Sequence, residues 1–595
     1  MPPFELITYL IVAAVVSFGL SWLVRRGAVR HGVVVPPRSD RWHQRATPTF
    51  GGTAIAFTSV GLSTVVLLLA PSMDVTGVTL VVVGAAFAMF AVGLADDAMQ
   101  LTPLAKLVAS LAIGALFVFG LSPPGGLPSL AAVLAIIWFG GIVHALNLLD
   151  NMDGLAAGIG TAACLFCAWT FAPMLGPTLV TVLVIVSGSQ LGFLVWNRHP
   201  ARLFMGDCGS LFIGAILAGA TLVPFLRSDA TLLFDGFVVT LILVVPLFDT
   251  GFVLILRRMA GRKATRGGTD HVSHRLVSIG FSERSAVRIL YGFGLLGGVV
   301  AVSITRPGGD SLLPVAWLFA VGTTLVGIYL ARVPVYDADD FLALQKSSFA
   351  PFLKDLAFRW HVGQVLLDIV LITIVFYASY LLRFEGEALD MFLSSFTASL
   401  PVVLACKLVA LYSSGLYSRS WHTFGLSDVS AVMRGVAGGS VLSVLAAAYL
   451  FRFELFSRGV FLIDAVLLFM VVVATRASFR LMGEVAASRS KQSRRVLIYG
   501  AGSGGQLLAR EMRANGDWQC NPVCFLDDDP AKQQRWILGL PVRGGVGDLE
   551  PSLQRDGVEE IILSSKSING TVESQIRGTC DRLGVVVRRL YLDIH

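Results

Sequence analysis

Charge is scarce in this chain. Of its 595 residues only 14% are charged against 55% hydrophobic, and the mean hydropathy is +0.74, a balance that excludes a soluble globular protein of this length. Cysteine is scarce as well. The seven present (Cys164, Cys167, Cys208, Cys406, Cys520, Cys524, Cys580) form no disulfide framework, and several lie in apolar runs. Cys520 and Cys524 lack the second pair that a metal-ligating cysteine motif needs, so buried thiols are expected there. No short-period repeat or low-complexity tract is present. The first apolar run, Phe4 to Val24, lacks a basic leader and a small-residue cleavage site, which argues for a retained span over a signal peptide. Positive charge is almost absent from alternate short loops, such as Pro71–Gly77 and Ser122–Gly126.

Long apolar runs are abundant. Taking about 20 apolar residues as one span gives about eleven helices before residue 331 and about four more between 364 and 482. Arginine sets the expected orientation. Arg25, Arg26, Arg30, Arg38, Arg41 and Arg45 follow the first span, and Arg257, Arg258, Arg262, Lys263, Arg266 and Arg275 follow the ninth. The positive-inside rule then puts the N-terminus outside and the acidic segments at Asp96–Asp97, Asp150–Asp153 and Asp207 inside, and an odd number of spans leaves the tail from about Ala486 in the cytoplasm too. The net charge of +7 gathers in these loops, which suits anionic headgroups and phosphorylated substrates better than nucleic acid. The expected fold class is a polytopic α-helical membrane protein of about 15 spans with a C-terminal cytoplasmic α/β Rossmann-like domain. Four parts are expected: a membrane domain over 1–331, a polar linker over 332–361, a four-helix membrane module over 362–485, and a soluble domain over 486–595.

Five aspartates interrupt the ends of apolar runs, in Gly93-Leu-Ala-Asp96-Asp97, Asn147-Leu-Leu-Asp150-Asn-Met-Asp153-Gly154 and Phe204-Met-Gly-Asp207-Cys-Gly-Ser210. Ionisable groups at such positions are costly and usually face a shared aqueous cavity. Carboxylates from three segments can hold a hard divalent cation, most often magnesium beside phosphate oxygens. The plain alternative, helix caps or interfacial anchors, does not account for Asp-Asp, Asp-x-x-Asp and Met-Gly-Asp in one chain. Lys106 lies ten residues past Asp96, where it either snorkels to the interface or faces the acids and holds a lipid phosphate. Asn197 stands in Val195-Trp-Asn-Arg-His-Pro200, and a basic loop carries Asp270-His271-Val-Ser-His274-Arg275. The two histidines and Arg275 are either polar surface or a diphosphate-binding set.

In the tail, Arg495-Val-Leu-Ile-Tyr499 reads as a strand, Gly500-Ala-Gly502-Ser-Gly-Gly505 as a turn, and Gln506–Ala514 as a helix. That context makes Gly500, Gly502 and Gly505 a candidate pyrophosphate cradle at a helix N-terminus. Pro522-Val-Cys-Phe-Leu526 reads as a second strand, and Asp527 at its end either binds a ribose hydroxyl or belongs to a solvated turn before Pro530. Glu560–Leu563 and Val585–Val587 give further strand signals.

These motifs together resemble the polyprenyl-phosphate N-acetylhexosamine-1-phosphate transferase superfamily. The matching residues are His43 with Thr47-Pro-Thr-Phe-Gly-Gly52; Asp96-Asp97 with Lys106; Asn147 to Asp150 and Asp153-Gly-Leu155; Trp196-Asn197 with Pro200-Ala201; Phe204 to Ser210; Pro246-Leu-Phe-Asp-Thr250; and Asp270 to Leu276. The histidine motif lacks the three consecutive histidines of the peptidoglycan branch and looks more like the branch that initiates O-antigen or capsule glycans. The resemblance implies transfer of a sugar 1-phosphate from a UDP-N-acetylhexosamine to undecaprenyl phosphate, with release of UMP, at the bacterial plasma membrane. It implies Mg²⁺, or Mn²⁺, on Asp153 and Asp207, and Asp96 and Asp97 acting on the lipid phosphate beside Lys106. Asn197 and Phe204 would hold uracil, with His43, Asn147 and Asp150 also at the substrate, and His271, His274 and Arg275 would bind the pyrophosphate. Direct attack and a phospho-aspartyl intermediate both remain open.

From about residue 360 the chain resembles the N-terminal half of membrane-bound nucleotide-sugar 4,6-dehydratases, through Tyr499–Gly502 and Leu526–Pro530. In those enzymes a second, catalytic Rossmann domain follows. Here the chain ends at His595, and Tyr591 has no lysine after it to form the Tyr-x-x-x-Lys pair. This half is therefore expected to be a non-catalytic module that binds NAD or a nucleotide sugar, or docks a nucleotide-sugar-modifying enzyme. Oligomeric state stays open, with a homodimer among the expectations. Two readings compete: a transporter with a nucleotide-sensing tail, against which no broken helices are evident in the sequence, and a nicotinamide-dependent redox enzyme, against which the catalytic pair is missing.

Overall fold

A computed structural model describes residues 3–35, 46–69, 77–122, 129–227, 232–259, 270–331, 360–384, 387–418, 424–452, 456–489, 494–514, 518, 520–564 and 569–589. It divides into two compact units, Met1–Arg419 with Gly425–Thr475, and Ser420–Phe424 with Arg476–His595.

The first unit is helical. Its helices are α1 (Pro3–Arg30), α2 (Gly51–Leu69), α3 (Gly77–Met99), α4 (Pro103–Leu121), α5 (Ser129–Leu149), α6 (Leu155–Thr170), α7 (Ala172–Asn197), α8 (Asp207–Arg227), α9 (Leu232–Ile242), α10 (Val244–Met259), α11 (Val272–Ser278), α12 (Glu283–Ile304) and α13 (Leu313–Ala331). Four more follow: α14 (Trp360–Arg383), α15 (Glu387–Ser413), α16 (Leu426–Phe451) and α17 (Arg458–Arg489), of which the part up to Thr475 belongs to this unit. Among the described residues 13 helices are long and apolar enough to cross a membrane, and α9 with α10 make a fourteenth if the pair is one span. Counting the shorter apolar α6 as well reaches the expected fifteen.

Helices in lipid gain little from apolar burial against one another, so small residues and interhelical hydrogen bonds carry their association. The α1–α7 seam illustrates this. Side chains at Gly188 and Gly192 would run into the carbonyl oxygens of Leu10 and Ala14, so the two backbones approach closely only because both positions are glycine. The Ser17 hydroxyl donates to the Ser189 carbonyl across the same seam at 2.6 Å. Helices α7 and α8 are the innermost of the candidate spans and form the scaffold against which α1, α2, α3, α5 and α6 pack.

One expectation is corrected. A broken helix is present: α9 and α10 meet at a 90° bend. The surrounding run, Leu241-Ile-Leu-Val-Val-Pro246, is apolar throughout, so hydropathy carries no trace of the turn. Pro246 sits in the first turn of α10, where a missing amide costs no intrahelical bond.

The tail is a doubly wound α/β unit. Strands β3 (Arg494–Tyr499), β4 (Cys520–Leu526), β7 (Glu560–Leu563) and β8 (Val586–Arg589) form a parallel sheet in the order β4-β3-β7-β8. Two short antiparallel pairs are separate from it: β1 (Val34–Val35) with β2 (Thr47–Pro48) in the first unit, and β5 (Trp536–Ile537) with β6 (Leu540–Pro541), between β4 and β7 in sequence, in the second. Alternation along β3 feeds two cores. Val496 and Ile498 pack with Leu508 and Met512 of α18 (Ser503–Ala514), while Leu497 and Tyr499 pack with Leu553 of α19 (Leu549–Asp556) and Ile576 of α20 (Gly570–Leu583). A sheet buried on both faces reads as a continuous apolar run, which is how β3 looked in the sequence.

Candidate active site

The acids of α3 and α8 converge on one lysine. The Lys106 ammonium, in the first turn of α4, donates to Asp96 Oδ2 at 2.9 Å and to Asp207 Oδ2 at 2.8 Å. Asp97 is used differently from its neighbour. Its two oxygens accept the amides of Asp207 and Cys208 at 2.9 and 3.0 Å, so it caps α8 from another helix. Gly206 makes room for this. Its φ of 77° is left-handed, and a Cβ there would fall 2.6 Å from the Asp97 carboxylate. Asn147, at the end of α5, donates to the Ser210 hydroxyl at 2.9 Å and ties a third helix to α8. The Thr47–Gly52 segment joins through backbone bonds: Phe204 donates to Pro48, and Gly51 and Gly52 donate to Phe204 and Met205, at 2.7 to 2.9 Å.

Asp153 belongs to a second group. Its Oδ2 accepts the Ala201 amide at 2.9 Å and His199 Nδ1 at 3.2 Å, and that same nitrogen lies 3.2 Å from Glu283 Oε2. Among the described residues no contact joins Asp153 to Asp207. Asp150 closes the preceding turn, its amide donating to the Asn147 carbonyl at 3.2 Å. Asn197 is 2% exposed and uses both ends of its amide locally: it accepts from the Gly154 amide and donates to the Leu203 carbonyl, each at 3.0 Å. It braces the Asp153 turn against the 198–206 loop.

The bent α9–α10 pair delivers Asp249, which accepts His271 Nδ1 at 2.7 Å and the Val272 amide at 2.8 Å. Ser273 donates to Asn151 at 2.7 Å and joins this loop to the Asp153 turn. His274 is buried. Burial, with His271 beside it, lowers its pKa from the ordinary 6.5 to about 4. Arg275 is 2% exposed, donates to the carbonyls of Asp270 and Leu330 at 3.2 and 2.9 Å, and lies over the Phe252 ring. A guanidinium held in this way anchors the loop. His43 lies outside the described residues. Sequence reasoning gave no role to Asp249, His199, Glu283 or Tyr291, whose hydroxyl donates to the Gly154 carbonyl at 2.6 Å. Asp249 and His199 stood inside quoted motifs; Glu283 and Tyr291 carried no signal.

No group of three or more His, Cys, Asp or Glu side chains is arranged to hold a metal among the described residues. The donor chemistry at Asp96 and Asp207 nevertheless fits a divalent ion. Two hard carboxylate oxygens already flank a positive charge, and magnesium usually completes its shell with waters and substrate phosphate oxygens.

In the tail, Gly500 has a φ of 103° and donates to the Leu526 carbonyl at 2.7 Å, while Gly505 packs directly on the Gly500 carbonyl. Gly502 has open space around it. Asp527 is engaged: it accepts the Ala501 amide at 2.7 Å, the Asp529 amide at 2.9 Å and the Lys532 ammonium at 3.1 Å. Burial pushes its carboxyl up, but those amides and Lys532 outweigh it and hold it below the usual range. Asp527 therefore locks the glycine turn to the second strand and is buried, which differs from the solvated-turn expectation.

The model described as glycosyl transferase family 4 matches residues 79–224, the stretch that carries Asp96, Asp97, Lys106, Asp153 and Asp207. Over 364 residues the chain is 31% identical to a probable undecaprenyl-phosphate N-acetylglucosaminyl 1-phosphate transferase of Bacillus subtilis (strain 168), covering 59% of this chain and 96% of that protein. The chain belongs to glycosyl transferase family 4. Other family members agree. A decaprenyl-phosphate N-acetylglucosaminephosphotransferase of Mycolicibacterium smegmatis is 31% identical, over 56% of this chain and 91% of its own length. A phospho-N-acetylmuramoyl-pentapeptide-transferase of Lactobacillus gasseri is 27% identical, over 51% and 99%. A model described as a CoA-binding domain matches residues 412–585, consistent with a fusion to the family 4 part. This family 4 member is thus a membrane-embedded enzyme of the transferase class.

Proposed function

We propose that this chain transfers N-acetylhexosamine 1-phosphate from a UDP-sugar to undecaprenyl phosphate on the cytoplasmic face of a bacterial plasma membrane, initiating a cell-surface glycan. An oxygen of the lipid phosphate bonds to the sugar-bearing phosphorus, the bond from that phosphorus to the bridging oxygen breaks, and UMP leaves with the bridging oxygen. One observation carries the reading: the ends of three apolar helices bring two carboxylates onto a single ammonium. Phosphoryl transfer depends on positioning and charge neutralisation more than on covalent chemistry by the protein.

Lys106 would take the lipid phosphate, and Asp96 would orient it, a reading supported by their ion pair. Asp97 fixes the register of α8 and so the position of Asp207. Asp207 and Asp96 would hold Mg²⁺ or Mn²⁺, which neutralises phosphate charge when bound. Asp153, expected from the sequence as a second ligand of the ion, orients His199. His271, held by Asp249, faces the diphosphate, with Arg275 as its anchor. The tail's glycine turn suits the pyrophosphate of a nucleotide ligand, such as NAD, a nucleotide sugar or coenzyme A, and serves regulation or the docking of a nucleotide-sugar-modifying enzyme.

The test is a purified-chain assay with radiolabelled UDP-N-acetylglucosamine, undecaprenyl phosphate and Mg²⁺. Labelled lipid that chelation abolishes is the expected product. A pure, folded chain that forms no labelled lipid from any UDP-N-acetylhexosamine overturns the proposal.

A further inference from the structure

Two imidazoles in this molecule are held in the same way. His271 gives Nδ1 to Asp249 at 2.7 Å, and His199 gives Nδ1 to Asp153 at 3.2 Å. The Ser273–Asn151 bond brings the two loops together, since Ser273 is two residues past His271 and Asn151 two before Asp153. Two carboxylate oxygens accept at His199 Nδ1, one from Asp153 and one from Glu283, so that nitrogen carries hydrogen and the ring is fixed in rotation. Nε2 then points the other way. Among the described residues it has no hydrogen-bond partner, and the His199 side chain is 31% exposed, against 7% for His271. A carboxylate-anchored imidazole with an open outer nitrogen is the arrangement proteins use when the ring must meet a substrate.

We propose, resting on the reading above, that His199 is a donor-binding residue whose Nε2 meets the diphosphate of the nucleotide sugar, and that Glu283 positions it. Glu283 opens α12 directly after the N-cap Ser282, so the helix fixes the origin of its side chain. Tyr291, two turns on, fixes the Gly154 carbonyl beside Asp153. One helix thus holds both the ring and its other carboxylate partner in place.

Steady-state kinetics of the full chain in lipid nanodiscs, with donor and acceptor varied separately, test this. His199→Asn keeps an amide nitrogen near Nδ1 and removes the outer nitrogen, and His199→Gln returns an amide towards Nε2. His199→Asn should raise the donor KM about tenfold and leave the acceptor KM unchanged, with His199→Gln recovering part of the loss. Glu283→Gln should raise the donor KM about threefold alone and add nothing in the His199→Asn background, because it acts through the ring. A donor KM for His199→Asn within twofold of wild type, or a full Glu283→Gln effect on top of it, overturns the proposal. If His199→Asn does not insert, His199→Gln and Glu283→Gln carry the same split between donor and acceptor. Wild type that makes no product overturns this proposal together with the preceding one, whereas active wild type with an unchanged donor KM in the variants overturns this one alone.

Discussion

The chain carries a lysine–aspartate contact in each membrane block, and the two are built for different ends. Lys106 sits at a helix terminus, 19% exposed, between two carboxylates that come from different helices. Lys407 of α15 meets Asp464 of α17 with the two side chains 1% and 0% exposed, under the face of Phe376. A partly exposed ammonium shared by two acids can exchange partners at lower cost, because water can replace either one. A dry one-to-one pair cannot, since removing either partner strands a charge in a low-dielectric interior. The first contact can therefore be a working part, and the second is a lock between helices.

The comparison breaks most decisively at Asp207. Asp207→Asn should lower sugar-phosphate transfer about a hundredfold or more while the chain stays folded. Near-normal turnover of a folded Asp207→Asn would reduce the Lys106 contact to a lock like the other. Lys407→Met should destabilise the membrane unit by about 3–5 kcal/mol without a specific effect on the transfer of the fraction that folds, and Lys407→Met with Asp464→Leu should restore stability. Thermal unfolding in detergent measures both, and failure of the double variant to recover would mean that the pair has work beyond locking.

His274 sharpens the contrast by giving the first block a pH signature. Its folded pKa of about 4 lies below the unfolded 6.5, so the unfolded chain binds the proton first. Stability from this group is complete above 6.5 and is lost as pH falls towards 4. Melting temperature followed over that range should decline, and His274→Gln should flatten the slope. An unchanged slope would assign the acid sensitivity elsewhere.

Much of the site was legible because acids at the ends of apolar runs have few innocent explanations. Asp96, Asp97, Lys106 and Asp207 meet in space as their spacing suggested. What spacing could not tell was which polar atoms are free. Asn197, Arg275 and Asp527 stand in motifs, and each bonds to a partner 43, 55 or 26 residues away. A brace and a ligand-binding group use the same residue types, and only the three-dimensional partner separates them. The bend at Leu243 was hidden for another reason: hydropathy averages over windows and is blind to direction. Glu283 carried no signal, because its meaning depends on a histidine 84 residues earlier. In the tail, strand and glycine-turn positions were read closely, because β3 is a continuous apolar run followed at once by its glycine turn.

The hydroxyl of Tyr291 makes α12 a mechanical element. Spans answer a change in bilayer thickness by tilting. Through its bond to the Gly154 carbonyl, a tilt of α12 becomes a displacement of the turn that ends in Asp153. The thickness of the surrounding lipid is then expected to act on the site as a load acts on a lever. In vesicles of graded acyl-chain length, wild-type transfer should vary with length and Tyr291→Phe should vary less. Equal profiles for the two would show that the lever carries no load.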